Sequence, residues 1–211
     1  MFIFTRNYKG IFLFTIRKGE TGIFIPHNQV AMMKKLKNEE LNRPDLNAYK
    51  AQEKLPLVIV MDNVRSLNNV GSAFRTADAF NAEKIVLCGI TGTPPHRDIQ
   101  KTALGATDSV DWVYFDDTLE AVVALQNQGY EVIAVEQAAE STMLQDFQPA
   151  HNSRYALVFG NEIFGVDQKV VNHVNHCLEI PQFGTKHSLN ISVSIGVVAW
   201  DFLSKHLALQ K

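Results

Sequence analysis

The sequence predicts an α/β fold in which a parallel sheet carries helices on both faces. From residue 55 onward, six short apolar runs rich in Val and Ile recur along the chain. A strand that is apolar on both sides must be buried on both sides, as strands of parallel sheets are. Segments with helical patterns separate most of the runs, as the crossover connections of a parallel sheet require. These two observations together define the predicted class.

The elements follow in order along the chain. The predicted strands are residues 57–61, 84–88, 110–115, 131–135, 155–159 and 177–180. The predicted helices are residues 69–80, 98–104, 118–128, 167–175 and 188–207. The last helix is almost entirely small and apolar, so we expect it to be buried nearly all round.

Length and composition narrow the function classes. A chain of 211 residues corresponds to one domain with an extension, which we place at residues 55–211 and 1–54. The formal charge of −2 argues against a globally basic nucleic-acid-binding protein, so any RNA contact must be local. Two cysteines, Cys88 and Cys177, form no disulfide framework. With no apolar run near ~18 residues and no signal cleavage site, we expect a cytoplasmic protein without a membrane partner.

The extension carries no recognisable chemistry. Residues 1–26 are rich in Phe and Ile and fit either a short β-hairpin turning near residues 19–22 or a disordered segment. Residues 29–54 are charged and helix-prone, with a break at residues 42–44 that predicts two short helices. Lys34, Lys35 and Lys37 are better explained as a solvated helix face than as a phosphate contact.

In open parallel sheets, ligands bind beyond the carboxyl ends of the strands, so the loops that follow the apolar runs deserve inspection. The loop after the first run leads into a helix for which Asn68 or Asn69 is the predicted N-cap. Arg75 lies less than two turns further on, near the helix N-terminus. The alternative is that Arg75 only forms an ion pair, with Asp62 or Asp78.

Two more strand ends are unusual. Gly160 and Gly165 flank Glu162 after the fifth run, and glycine there lets the backbone approach a ligand closely. The alternative is an ordinary turn in which Asp167 caps the next helix, which leaves Glu162 without a role. Ser188 and Asn190 stand at the start of the last helix, and capping needs one of them only.

Several familiar site types are excluded. The chain has no GxGxxG dinucleotide fingerprint, no GxxxxGK[ST] phosphate loop and no GxSxG nucleophile elbow. His173, His176 and Cys177 match no common zinc spacing. We therefore expect no metal.

Together the three loops resemble motifs 1, 2 and 3 of the SpoU/TrmH branch of the SPOUT RNA methyltransferases. The matching stretches run from Asn69-Val70-Gly71 to Arg75-Thr76-Ala77, then Gly160-Asn161-Glu162-Ile163-Phe164-Gly165, then Ile180-Pro181 with Gly184 and Ser188-Leu189-Asn190. Each fragment is short. Their order, and the placement of each at a strand end, make the resemblance specific over residues 55–207.

The resemblance implies an enzyme that transfers a methyl group from S-adenosyl-L-methionine to a ribose 2′-hydroxyl of tRNA or rRNA. It also implies a C-terminal trefoil knot and a homodimer that packs through the knot. By motif position, Gly160, Ile180 and Leu189 would line the cofactor pocket. Arg75 would be the catalytic arginine, acting on cofactor held mainly by the partner chain. Its companions around the ribose and cofactor would be Asn69, Glu162, Ser188 and Asn190.

The departures from the family pattern leave every motif residue in place, and the largest of them concerns substrate choice. Gln182 stands where methionine is common, and the first 54 residues do not resemble the ribosomal-protein-like RNA-binding domain of many relatives. Residues 93–101 follow a strand end, and their His96, Arg97 and Lys101 are the candidate RNA contacts, with a solvated turn as the alternative.

Arginine is a poor general base because its pKa exceeds ~12. Arg75 is therefore expected to orient the hydroxyl and stabilise the developing alkoxide. Two alternatives to ribose methylation stay open at this point. One is a non-catalytic RNA-binding dimer of the same fold, and the other is a base nitrogen as the methyl acceptor.

Overall fold

The computed structural model describes residues 4–6, 12–16, 20–24 and 34–210. The chain divides into two compact units, Met1–Arg43 and Pro44–Lys211. Residues 44–54, which the sequence analysis placed in the extension, therefore belong to the second unit by their contacts. The boundary at residue 55 stays a prediction for where the catalytic domain proper begins.

The first unit contains a three-stranded antiparallel sheet in the order β1-β2-β3. Its strands are β1 (Phe4–Arg6), β2 (Phe12–Ile16) and β3 (Glu20–Phe24). The last two pair from Phe12↔Phe24 to Ile16↔Glu20. A 3-10 helix, Asn38–Leu41, follows, and Lys34 pairs with Glu40 across it at the surface.

The second unit contains seven strands and seven helices within the described residues. The strands are β4 (Leu55–Asp62), β5 (Ala82–Cys88), β6 (Asp111–Phe115), β7 (Tyr130–Val135), β8 (Thr142–Met143), β9 (Arg154–Phe159) and β10 (His176–Glu179). The helices are α1 (Leu46–Ala51), α2 (Leu67–Ala79), α3 (Arg97–Ala103), α4 (Ala106–Ser109), α5 (Thr118–Asn127), α6 (Gln168–Val171) and α7 (Ile191–Leu209).

The seven strands form one sheet in the order β6-β5-β4-β9-β7-β10-β8, and every neighbouring pair is parallel. The predicted fold class is confirmed, and each of the six predicted strands is present within a few residues of its expected limits. Sequence reasoning missed β8 and α4. Both are too short, at two and four residues, to show a hydrophobic period.

Burial explains why the strands are apolar on both sides. In β4, Leu57 and Ile59 pack into the core layer that includes residues of α2, α3 and α7. Val58 and Val60, which alternate with them, pack into a second layer with residues of α5 and α6. Side chains alternate across a strand, so a strand covered on both faces needs apolar residues at every position.

Three helix limits differ from the sequence expectations. The N-cap of α2 is Ser66, whose side chain accepts from Asn69 N, and not Asn68 or Asn69. Helix α6 ends at Val171, because a turn over residues 172–175 leads into β10. Helix α7 begins at Ile191 with Asn190 as its cap, so Ser188 lies before the helix. Asp167 caps α6, as the ordinary-turn alternative predicted.

The sheet order determines which loops meet. β4 lies beside β9, and β7 lies between β9 and β10. All four strands are parallel, so their carboxyl ends share one edge, where the loops that follow them converge. No helix of the described residues is long and apolar enough to cross a membrane.

Candidate functional site

A cavity of about 510 Å³ opens at this edge of the sheet. It is lined by the segments that follow β7, β9 and β10 and by the first turn of α7. Six of the residues that the sequence analysis selected line it: Gly160, Glu162, Ile180, Ser188, Leu189 and Asn190. Residues about 30 positions apart in the chain therefore meet at one cavity, which we call the strand-end cavity.

Glu162 fastens the second motif to the first. Its Oε2 accepts a hydrogen bond from Arg65 N, and its Oε1 accepts from Ser66 N and from Asn69 Nδ2, each at 3.0 Å. Anionic oxygens are favoured at a helix N-terminus, where backbone N–H groups lack partners. Glu162 therefore has a structural role at the start of α2, and Asn69 reaches the strand-end cavity only through it.

These contacts lower the pKa of Glu162. Partial burial by itself would raise that pKa, because it disfavours the charged form. The hydrogen bonds from Arg65 N, Ser66 N and Asn69 stabilise the carboxylate and outweigh burial, so the pKa of Glu162 lies below its ordinary value. The carboxylate is therefore the form present at neutral pH.

Replacing Glu162 with Gln is expected to lower the free energy of unfolding by about 1 kcal/mol at pH 7, because the amide offers one oxygen to three donors. A depressed folded-state pKa gives stability that is complete above the unfolded pKa of about 4.3 and is lost as the pH falls through the folded pKa. The gap between wild type and Glu162→Gln should therefore narrow as the pH falls from about 5 to 3. Urea unfolding at several pH values measures it, and a gap of constant size would contradict the role of the charge.

Close backbone packing shapes the second motif. A Cβ added at Gly160 would lie 2.0 Å from Gly165 C and 2.1 Å from Val166 N. Gly165 has φ +69°, a conformation that favours glycine. Asn161 pairs with Gly165 through two backbone hydrogen bonds, and its Nδ2 donates to Asn63 O at 2.7 Å. Glycine at these two positions lets the loop fold back on itself.

The third motif also lines the strand-end cavity. Asn190 Oδ1 accepts from Ser192 N at 2.8 Å, so Asn190 caps α7. Ser188 is exposed, and its hydroxyl makes no hydrogen bond within the described part of the chain. Capping thus accounts for Asn190 and leaves the Ser188 hydroxyl available to a ligand.

Arg75 lies outside the strand-end cavity of its own chain. It is exposed on α2 and lines a separate cavity of about 430 Å³ together with Ser72, Lys101 and Gly196. Neither alternative ion pair forms, since no salt bridge of Arg75 occurs among the described residues.

The two carboxylates proposed as partners of Arg75 bind elsewhere. Asp62 is buried and accepts hydrogen bonds from Thr118 Oγ1 and Asp167 N, while Asp78 accepts from Ser109 Oγ. The guanidinium of Arg75 is therefore not committed to either of them.

The candidate RNA contacts lie on α3. His96 is its N-cap, with Nδ1 accepting from Asp98 N at 3.2 Å. Arg97 and Lys101 are exposed one turn apart on the same helix. Lys101 shares the cavity of Arg75, which places two cations on one surface.

Sequence reasoning missed two residues of the strand-end cavity, Glu136 and Gln137. They follow β7 directly. The rule that ligands bind after parallel strands points to them, but no glycine or known motif distinguishes this loop.

The strand-end cavity fits the methyl donor that the resemblance implies. Its volume lies in the range of about 300–1,000 Å³ that is usual for small-molecule sites. Ile180 and Leu189 offer apolar surface to an adenine ring. Glu136 and Glu162 add two carboxylates to the lining, and negative charge suits a ligand that carries a sulfonium cation.

A sequence model of the SpoU rRNA methylase family matches residues 56–200, which include all three motif loops. The chain belongs to the SpoU rRNA methylase family. The predicted resemblance is thereby confirmed, and with it the enzyme class of S-adenosylmethionine-dependent RNA ribose 2′-O-methyltransferases.

Two relatives in this family share 30% of their residues with the chain over 169 positions. Both are named 23S rRNA (guanosine-2′-O-)-methyltransferase RlmB and come from Vibrio cholerae and Haemophilus influenzae. The alignment covers 80% of this chain and 67% and 68% of the two relatives. The chain thus spans about two thirds of their length.

Solved structures of the family share the fold. A TrmH/SpoU tRNA modifying enzyme from A. aeolicus superposes with a TM-score of 0.68 at 22% identity, covering 77% of this chain and 80% of that one. An AdoMet-bound rRNA methyltransferase from Sinorhizobium meliloti gives 0.65 at 23% identity, covering 76% and 59%. At these identities the likeness establishes the fold.

Proposed function

We propose that the chain methylates the ribose 2′-hydroxyl of a guanosine in ribosomal RNA. The observation that carries this proposal is the convergence of the second and third motifs on one cavity, with the first motif attached to it through Glu162. The two RlmB relatives, which are named as 23S rRNA guanosine 2′-O-methyltransferases, support the choice of ribosomal RNA and guanosine.

The proposed mechanism divides the work among the chain's own residues. When bound, S-adenosylmethionine supplies an electrophilic methyl group on sulfur. Gly160, Ile180 and Leu189 hold its adenosyl part, and Ser188 and Asn190 lie where the acceptor ribose must enter. Arg75 donates hydrogen bonds to the acceptor oxygen and stabilises the charge that develops there. Positioning the acceptor about 3–3.5 Å from the methyl carbon provides much of the acceleration.

We infer that Arg75 meets the strand-end cavity of a second chain, because it lies outside the cavity of its own, and that α7 offers the surface for this assembly. Val193, Val197 and Trp200 recur at helical spacing along one side of α7 and are 50%, 39% and 56% exposed. Gly196 lies on the same helix beside Arg75. An apolar stripe of this kind fits a second copy of the chain, so we propose a homodimer that packs through α7 and the predicted knot.

We further propose that His96, Arg97 and Lys101 contact the RNA backbone. Their exposure on α3 and the shared cavity of Lys101 and Arg75 support this assignment. The affinity falls as salt rises, and each lysine or arginine contact to a phosphate that is removed should reduce the steepness of log affinity against log salt by about 0.7 to 0.9. Filter binding of RNA by an Arg97→Gln/Lys101→Gln double variant measures the slope. An unchanged slope would show that these residues of α3 do not contact the RNA backbone.

The localisation is proposed as cytoplasmic, where ribosomal RNA is available to the enzyme. Cys88 is buried and Cys177 is half-buried, and neither is paired. Burial raises the pKa of Cys88 to about 12, so this thiol is unreactive at neutral pH.

The function is tested with the full chain and S-adenosylmethionine labelled at the methyl group. Incubation with separated ribosomal and transfer RNA, followed by nucleoside analysis, should yield 2′-O-methylguanosine from the ribosomal fraction. Label in transfer RNA would show that the substrate is transfer RNA and not ribosomal RNA. Label on a base would show that the methyl acceptor is a base atom and not the ribose hydroxyl. Cofactor binding without transfer to any RNA would favour the non-catalytic dimer.

A further inference from the structure

The loop that carries the third motif has few attachments. Residues 183–190 are exposed, and they contain no helix or strand. Between residues 181–189 and the rest of the described chain there is one hydrogen bond, from Gln137 Nε2 to His187 O at 2.9 Å. Ser188 and Leu189, which line the strand-end cavity, follow His187 directly. This bond therefore holds the loop at the point where it reaches the cavity.

The residue before Gln137 holds the second motif. Glu136 Oε2 accepts from Val166 N at 2.9 Å, and it is 2.1 Å from the place that a Cβ on Gly165 would occupy. Glu136 Oε1 accepts from Gln137 N at 2.8 Å. The carboxylate therefore also fixes the backbone from which the Gln137 side chain extends.

Two consecutive residues at the end of β7 thus bind two loops that both line the strand-end cavity. β7 is a largely buried strand inside the sheet, so Glu136 and Gln137 extend from a well-packed element, whereas the third-motif loop is exposed and has one hydrogen bond to the rest of the described chain. We propose that Gln137 is a positioning residue for cofactor binding, which sets the third-motif loop in its binding conformation. This inference rests on the proposed function, because it assigns the strand-end cavity to the methyl donor.

The mechanism is preorganisation. A loop that is already in place loses less conformational entropy when a ligand binds, and the saving appears as affinity. Without the Gln137 amide, the loop must be ordered by the ligand itself. The entropic cost of ordering the loop therefore weakens cofactor binding and does not change the rate of the chemical step.

The test replaces Gln137 with Met, which keeps the length of the side chain and removes its donor. Gln126 offers a matched control, since its Nε2 donates to His173 O at 2.8 Å and neither residue lines the strand-end cavity. Calorimetry with S-adenosylhomocysteine should show about fivefold weaker binding for Gln137→Met, the loss expected for one exposed hydrogen bond. Gln126→Met should bind as the wild type does.

Two further readouts separate positioning from general destabilisation. Gln137→Met should raise KM for S-adenosylmethionine while kcat at saturating donor and KM for RNA stay at wild-type values. Hydrogen exchange of residues 183–189 in the ligand-free protein should be faster in Gln137→Met alone. Equal affinities for the wild type and Gln137→Met, or an equal loss in Gln126→Met, would overturn the inference. Wild-type protein that binds no S-adenosylhomocysteine would overturn the proposed function as well.

Discussion

Arg75→Lys is expected to lower kcat for RNA methylation by about a hundredfold or more, which is typical of removing a donor that stabilises developing charge. Lysine keeps the positive charge but cannot reproduce the planar, multi-donor guanidinium. Arg75 is exposed and lies outside the strand-end cavity of its own chain, so folding and cofactor affinity should stay unchanged. Single-turnover methyl transfer and calorimetry measure the two properties separately.

The matched control is Arg43→Lys, an exposed arginine that belongs to the first unit. It should leave the rate unchanged. Near-normal turnover in Arg75→Lys would reject the proposed role of the guanidinium.

The same residue provides a test of the dimer. Arg75→Ala and Leu189→Glu should each be inactive alone. The first lacks the arginine, and the second lacks a functional cofactor site. Random mixing of the two should restore about a quarter of wild-type activity, because half of the dimers then contain one complete site. Failure to recover activity in subunits that exchange would place Arg75 and the cofactor in the same chain.

A second pair of variants identifies the interface. Val197→Glu puts a charge on the exposed stripe of α7 and should abolish this recovery by preventing assembly. Val123→Glu is its control, since both valines lie on helices and are similarly exposed, at 39% and 42%. If activity still recovers in mixtures that carry Val197→Glu, the dimer interface does not include this part of α7.

Gly160→Ala is expected to abolish detectable cofactor binding and to lower the free energy of unfolding by about 2 kcal/mol, as overpacking of a close contact does. The added methyl group would meet the backbone of Gly165 and Val166 at 2.0 to 2.1 Å, and backbone cannot rotate away as a side chain can. The second-motif loop must therefore open. Urea unfolding and calorimetry with S-adenosylhomocysteine measure the two effects.

Gly184→Ala is the control for stability. Gly184 lies in the third-motif loop, and a Cβ added there has no atom within 4 Å. Its free energy of unfolding should equal that of the wild type. If Gly160→Ala were equally stable, the close approach of the two loop segments would not constrain the site.

The fold was predictable because its signals are local. Val58 and Val60 alternate with Leu57 and Ile59, and only burial on both faces accommodates such a run. The site was partly predictable for a related reason. Parallel strands bring their carboxyl ends to one edge, so loops with unusual composition had to meet there, and Glu162 and Leu189 do line one cavity.

What the sequence did not reveal depends on contacts between distant residues. Ser66, Asn68 and Asn69 have similar capping propensities, and in the structure Ser66 caps α2 while the side chain of Asn69 donates to Glu162. Gln137 acts through a carbonyl 50 positions away, and a carbonyl has no sequence signature. The family resemblance, and not a pattern in the residues, implied that Arg75 acts on cofactor held mainly by a partner chain, and the structure places Arg75 outside the strand-end cavity of its own chain.

The hydrogen bonds that Glu162 accepts at the start of α2 affect how the enzyme adjusts to its substrate. The wall that receives the donor and the helix that bears Arg75 are fastened at one carboxylate, so within a chain they move together. In the proposed dimer the guanidinium and the methyl group are held by different subunits, so movement of one subunit against the other changes the gap between them. The stiffness of the α7 contact then governs how closely the reacting atoms approach.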